Sequence, residues 1–215
     1  ERYRDLAVDA RAIAKDTYEK DSNDYHFFVI AFKDIYDGWS GRGSIGSWGG
    51  YKGFDSSVTW LNGYEMDSRV FVHEIGHNLG LWHASSWEVP TSESQPDASS
   101  GSHVEYGFYY DAMGSTWRKT LDQLQFNSHF KNLNGWIPDN QIQNVNGNYS
   151  GRIYASDQTL VPGRDYAIRI NANRGLGGGA TPHHPALDLD TRRHVDLLRA
   201  SKRHGLCDIL RGQPA

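Results

Sequence analysis

His73-Glu74-Ile75-Gly76-His77-Asn78-Leu79-Gly80-Leu81-Trp82-His83 is the stretch on which the reading of this chain turns. If a helix runs from Arg69 to Leu79, His73 and His77 stand four residues apart, about one turn at ~3.6 residues per turn, and both imidazoles leave the same face. Glu74 follows its histidine directly and points roughly 100° further round. That places a carboxylate beside an ion gripped by the histidines, where it can take a proton from water. Gly80 enters the left-handed conformation without a Cβ penalty, so the chain turns sharply and returns His83 to the same ion. Three histidines with a fourth position left open make the ligand set of a catalytic zinc site, because a structural site closes its coordination with a fourth protein ligand. A His-x-x-x-His pair on a helix is often no more than a solvated pair. Five positions at fixed offsets are far more specific.

Composition bounds the rest. A chain of 215 residues holds one domain of ordinary size with a substantial core and room for a small appendage. The net charge of −4 and pI near 6.2 give no footprint for nucleic acid or an anionic membrane. Aromatic residues make up 13 %, with seven Trp and twelve Tyr, which suits a packed core and an adhesive cleft. Cys207 is the single cysteine, which rules out an intrachain disulfide and zinc held by thiolates. No apolar run approaches the ~18 residues of a membrane span. The sequence starts at Glu1 with neither Met nor a signal-like apolar run, and reads as a processed or truncated piece.

Along the chain, Leu6, Val8, Ala10, Ile13 and Ala14 predict an amphipathic helix over residues 1–20 that faces a core. Residues 25–32, Tyr-His-Phe-Phe-Val-Ile-Ala-Phe, predict a strand buried on both faces, and Ser57 to Leu61 a second strand closed by the Asn62-Gly63 turn. Asp67 or Ser68 caps the histidine helix. Residues 84–103 read as a surface loop, Thr120 to Leu133 as a second amphipathic helix, and Ile142 to Ile170 as strands with turns at Asn146-Gly147 and Pro162-Gly163. After Asn171 there is no aromatic residue, and residues 174–215 carry seven Lys/Arg against four Asp/Glu. That tail, with His183-His184 in it, reads as disordered or foreign to the rest.

The histidine string followed by Met113 resembles the metzincin zinc endopeptidases, which combine that motif with a methionine turn. Ala84 after the third histidine, Glu105-Tyr106-Gly107 leading to Asp111-Ala112-Met113-Gly114, and Phe126 to Trp136 are similar to the gametolysin family, peptidase family M11. The resemblance spans roughly Trp39 to Ile170. It implies an α+β, two-lobed zincin: a mixed twisted sheet, an active-site helix, the methionine turn and a C-terminal helix, then a short β-rich segment. It also implies zinc on His73, His77 and His83, Glu74 as base and Met113 as the turn methionine. Ser115 stands where some metzincins place a tyrosine ligand, so no fifth ligand is assigned. Secretion follows from the resemblance alone.

The sequence therefore leads to residues 1–138 as the catalytic domain, 139–172 as a β-rich segment and 173–215 as an atypical tail. The expected activity is hydrolysis of extracellular, cell-wall or matrix polypeptides, by a monomer with one zinc ion; calcium sites are left open. The alternative is a non-catalytic adhesin of the same fold, but a structural metal needs no carboxylate beside its first histidine. Gly43, Ser44, Ile45, Gly46 and Trp48 lie in a glycine-rich tract suited to a sheet edge that a substrate backbone approaches, with Trp48 or Trp39 as an aromatic wall. A surface loop is the competing reading of that tract.

Overall fold

The structure is a computed structural model that describes residues 2–33, 38–63, 67–88, 101–115, 124–146, 149–170 and 206–209. It is α+β, and the chain divides into two compact units, 1–126 and 127–215.

The first unit is built on a three-stranded mixed sheet in the order β1-β3-β2, with β1 Phe27–Phe32 parallel and β2 Gly41–Gly43 antiparallel to the central strand β3 Ser57–Asn62. Five of the six β3 residues are buried, as a central strand with helices on both faces requires. Helix α1, Arg2–Tyr18, covers one face: Ala7 and its neighbours Tyr3, Leu6, Val8 and Ala10 pack on Ile30, Phe54, Val58 and Trp60. Those contacts end at Ala10, and Ile13, expected on the core side, is 58 % exposed. Helix α2, Ser68–Asn78, lies over β2 and β3 on the other face.

That placement corrects the expectation for β1. Phe28, Ile30 and Phe32 enter the core under α1, whereas Phe27 and Val29 are 41 % and 39 % exposed. A continuous apolar run signals burial on both faces only where both are covered, and α2 does not extend over this outer strand.

Asn78, at the end of α2, joins helix to sheet. Its Oδ1 accepts from Thr59 Oγ1 at 2.7 Å, and its Nδ2 donates to the carbonyls of Ser44 and Val58 at 3.0 and 3.2 Å. Residues 84–103, expected as loop, are bounded by a two-stranded ribbon, β4 Ser86–Glu88 against β5 Ser102–Val104; the core of the predicted loop lies outside the described residues.

In the second unit α3 runs only over Ser128–Leu133, not from Thr120. Asn127 caps it, accepting from the Phe130 amide at 2.8 Å, and Leu124 to Phe126 ahead of the cap are not helical. Residues 120–123 of the expected helix lie outside the described residues. β6 Ile142–Val145 pairs parallel with β8 Ala167–Ile170 over a core of Ile137, Ile142, Tyr166 and Ala167. β7 Tyr149–Arg152 pairs antiparallel with β9 Leu206–Ile209, the only described part of the predicted tail; His183 and His184 fall outside it.

Candidate metal centre

Helix α2 starts where Asp67 accepts from the Arg69 amide at 2.9 Å and ends in a Schellman closure. Gly80, at φ +86°, donates to the His77 carbonyl at 2.8 Å and Leu81 donates to the Gly76 carbonyl at 3.0 Å. Only glycine takes that φ without strain, and the reversal brings His83 beside the two helical histidines. The ring centroids of His73 and His77 are 4.9 Å apart, those of His77 and His83 also 4.9 Å, and those of His73 and His83 5.4 Å. One ring nitrogen from each lies within 4.8 Å of the others, so the three could hold a single metal ion.

The hydrogen bonds on the far side of each ring decide which nitrogen is offered. Nδ1 of His73 meets the Ala112 carbonyl at 2.9 Å, Nδ1 of His77 the Leu81 carbonyl at 2.8 Å, and Nδ1 of His83 a Glu105 carboxylate oxygen at 2.6 Å. A carbonyl or carboxylate only accepts, so each Nδ1 carries the proton and each Nε2 keeps its lone pair. Burial lowers the pKa of His73 and holds that of His77 at about 4, which keeps both neutral near pH 7. Three imidazoles engaged at Nδ1, each with its Nε2 left for a metal, and no thiolate fit an open three-histidine zinc site.

Glu74 is 6 % exposed on the same helix, and burial pushes its carboxyl up to about 7 against the opposing pull of the Gly43 amide and the Arg42 charge. Strand β2 comes this close because it is glycine at both inward positions. A Cβ at Gly43 would stand 2.5 Å from the Glu74 carbonyl oxygen and 2.9 Å from His77 Cβ, and one at Gly41 2.5 Å from Val70 Cγ1. Of the predicted substrate tract, only Gly43 belongs to the strand. Ser44 still bonds to the Val58 carbonyl; Gly46 donates to His77 and Trp48 to Ser56, which carries Ile45, Gly46 and Trp48 away from any free edge. Trp48 packs on Tyr51, Phe54 and Trp60 and, with Gly43 and Ser44, lines the groove that holds the histidines.

Met113 is fully buried with its thioether against Gly76, on the helical turn between His73 and His77. Buried Asp111 accepts from the Met113 amide at 2.6 Å, and the Met113 carbonyl receives the Ala84 amide at 2.8 Å, so the turn and the third histidine's segment are held as one piece.

Glu105 and Tyr106 were read only as parts of a motif, without roles. Tyr106 adopts φ +60° and lays its ring against His83, centroid to centroid 3.8 Å. Because His83 lies in no helix or strand, the Glu105 carboxylate on one side of the imidazole and the Tyr106 ring against it do what the helix does for the other two. Their only sequence signal was an acidic-aromatic pair 22 and 23 residues downstream, which no local periodicity links to His83. Glu105→Ala is expected to weaken zinc binding about 10- to 100-fold, the usual cost of losing a carboxylate that orients a ligand histidine. Competition against a chromophoric chelator measures it, and unchanged affinity would remove Glu105 from this role.

A groove of about 370 Å³ runs from the three histidines and Glu74, past β2, to Tyr3, Arg4 and Trp60. Residues 3–84 match the family model described as Metallo-peptidase family M12B Reprolysin-like, a zinc peptidase family of metzincin type. The match takes in α1, the sheet, α2 and all three histidines. No curated protein and no solved structure matches the chain.

Proposed function

We propose that this protein is a zinc-dependent endopeptidase of the metzincin type, with His73, His77 and His83 as ligands through Nε2 and Glu74 as general base. The observation that carries the reading is the convergence of three Nε2 lone pairs next to a buried carboxylate at the side of an open groove. Bound zinc supplies Lewis-acid polarisation of the scissile carbonyl and acidifies the attacking water. Glu74 receives that water's proton and hands it to the departing amine. The Gly43 amide and the Arg42 charge hold the Glu74 carboxylate in place.

The peptide lies along β2. Ser40, Arg42 and Ser44 turn their backbone groups to β3, as the bond from Asn62 to the Ser40 carbonyl and that from Ser44 to the Val58 carbonyl indicate. Gly41 and the Gly43 carbonyl therefore point outward, where an extended backbone can add by β-augmentation, while the Gly43 amide is engaged by Glu74. The motifs at 105–114 and 126–136 favour a gametolysin-like member acting on extracellular polypeptides. Among the described residues no helix is long and apolar enough to cross a membrane.

Met113 serves as an apolar floor beneath the imidazoles and not as a ligand, since a thioether binds zinc weakly beside imidazole. Met113→Leu is expected to keep zinc affinity within a few-fold and to cost under ~1.5 kcal/mol of stability, as volume-conserving swaps do. Metal analysis and a thermal melt check this. A leucine variant that no longer retains zinc would place the sulfur in the coordination.

The reading as a whole is tested by metal analysis together with cleavage of a broad peptide library, with and without chelator. One zinc per chain and chelator-sensitive cleavage are expected. Zinc without cleavage of any peptide would favour the adhesin.

A further inference from the structure

The far arm of the groove is cationic. Arg42, the one side chain of β2 that faces away from α2, lies with Cζ 4.8 Å from the Tyr3 ring centroid and 5.0 Å from that of Trp39. Arg4 sits 5.7 Å from Tyr3 and 5.6 Å from Tyr51. Both guanidiniums are thus held on aromatic faces, an arrangement that fixes a cation without neutralising it. Among the described residues the ion pairs engage Arg11, Lys15, Lys52, Arg69, His83 and Arg169, and neither Arg4 nor Arg42. Trp60 lines the same arm, is 2 % exposed, and its indole Nε1–H has no hydrogen-bond partner.

Two arginines held on aromatic faces and in no ion pair among the described residues, Arg42 acting on Glu74 only through its charge, together with a buried donor that has no acceptor there, describe a surface suited to an anion. We propose that this arm binds a carboxylate of the peptide substrate, with Arg42 as the principal contact and Arg4 as the second. The proposal rests on the endopeptidase reading above. A peptide added to β2 alternates its side chains across the sheet as β2 does, glycines toward the metal side and Arg42 toward the α1 side. The substrate residue beside Arg42 therefore presents its side chain to the guanidinium, where a carboxylate accepts a bidentate pair of hydrogen bonds. The carboxylate is an Asp or Glu side chain or the free C-terminus of a short peptide, both offering the same two oxygens.

The test uses the zinc-loaded protein and matched peptides of one sequence, in which a single residue on either side of the cleavage point is Glu, Gln or Lys, each made with a free or an amidated C-terminus. The ratio of kcat/KM for Glu over Lys at one position is expected to be on the order of 10 or more, to reside in KM, and to shrink as salt is raised, because the arginines are exposed. Arg42→Ala collapses the ratio, Arg42→Lys keeps part of it, and Arg42→Glu inverts it. If the preference follows the free C-terminus rather than the internal Glu, the carboxylate bound is the terminal one. Far-UV circular dichroism on each variant separates loss of the site from loss of fold. Should no peptide be cleaved, the endopeptidase reading fails, while direct binding of the Glu, Gln and Lys peptides to wild type and Arg42→Glu still decides the anion site. Equal kcat/KM and equal binding across the three residues and both termini, or a preference that survives Arg42→Glu, overturns the proposal.

Discussion

Glu74→Gln is expected to bind one zinc ion as tightly as the parent protein, to fold as it does, and to lose about 10²- to 10⁴-fold in kcat, the range typical of removing a general base. The substitution keeps the shape of the side chain. Its amide oxygen can still accept from the Gly43 amide that the carboxylate engages, so β2 and α2 keep their spacing. What disappears is the capacity to take a proton. The three histidines have their own fixed partners at Nδ1, in Ala112, Leu81 and Glu105, none of which involves Glu74, and so metal retention is expected. Stopped assays on a cleavable peptide and metal analysis of the same preparation give the answer. Zinc loss would place the carboxylate in the coordination, and undiminished turnover would take it out of the reaction.

Gly43→Ala should be nearly as damaging, although alanine adds one methyl group. That methyl would meet the Glu74 carbonyl oxygen at 2.5 Å and His77 Cβ at 2.9 Å, and neither atom can swing aside because both belong to the frame of α2. The helix must move off the strand, at a cost of about 1–3 kcal/mol for overpacking. The atoms displaced carry a proposed ligand and the proposed base, and a shift of ~1 Å in such a site can cost about 10²-fold in rate. Gly41→Ala is the informative contrast: its methyl would meet Val70 Cγ1 and the Glu74 side chain, which can rotate, so the loss of stability should be smaller. Thermal melts and kcat/KM on the pair check this, and a Gly43→Ala protein equal to the parent in both would mean that the spacing of strand and helix does not govern the site.

The local part of the site was legible in the sequence. His73, Glu74 and His77 owe their placement to helical periodicity, and His83 owes its return to a glycine that takes φ +86°. The cap at Asp67 and the end of β3 at Asn62 are likewise decided by neighbours in the chain. These features depend on contacts over a few residues, and their energetics are written in the residue types themselves.

Other features depended on which segments meet in space. Nothing near Glu105 in the sequence signals that its carboxylate orients His83, and nothing near Gly43 announces that α2 will pass within a methyl group of it. The run from Phe27 to Phe32 is apolar enough for a strand buried on both faces, yet α2 covers β2 and β3 and leaves Phe27 and Val29 at the surface. The glycine tract after Gly43 had the composition of a sheet edge, but the His77 and Ser56 carbonyls claim its amides. The stripe from Thr120 promised a long helix, and the Asn127 side chain begins it at Ser128. Nothing in the sequence marks Arg42; Tyr3 and Trp39 place it, outside the ion pairs of the described residues, on the arm of the groove leading from the histidines. The sequence by itself determined the three-histidine cluster and its helix, because those follow from short-range geometry. Only the tertiary structure decided what orients His83, how close β2 comes to α2 and where Arg42 faces, because each of these is set by backbones far apart in the chain coming to within van der Waals distance.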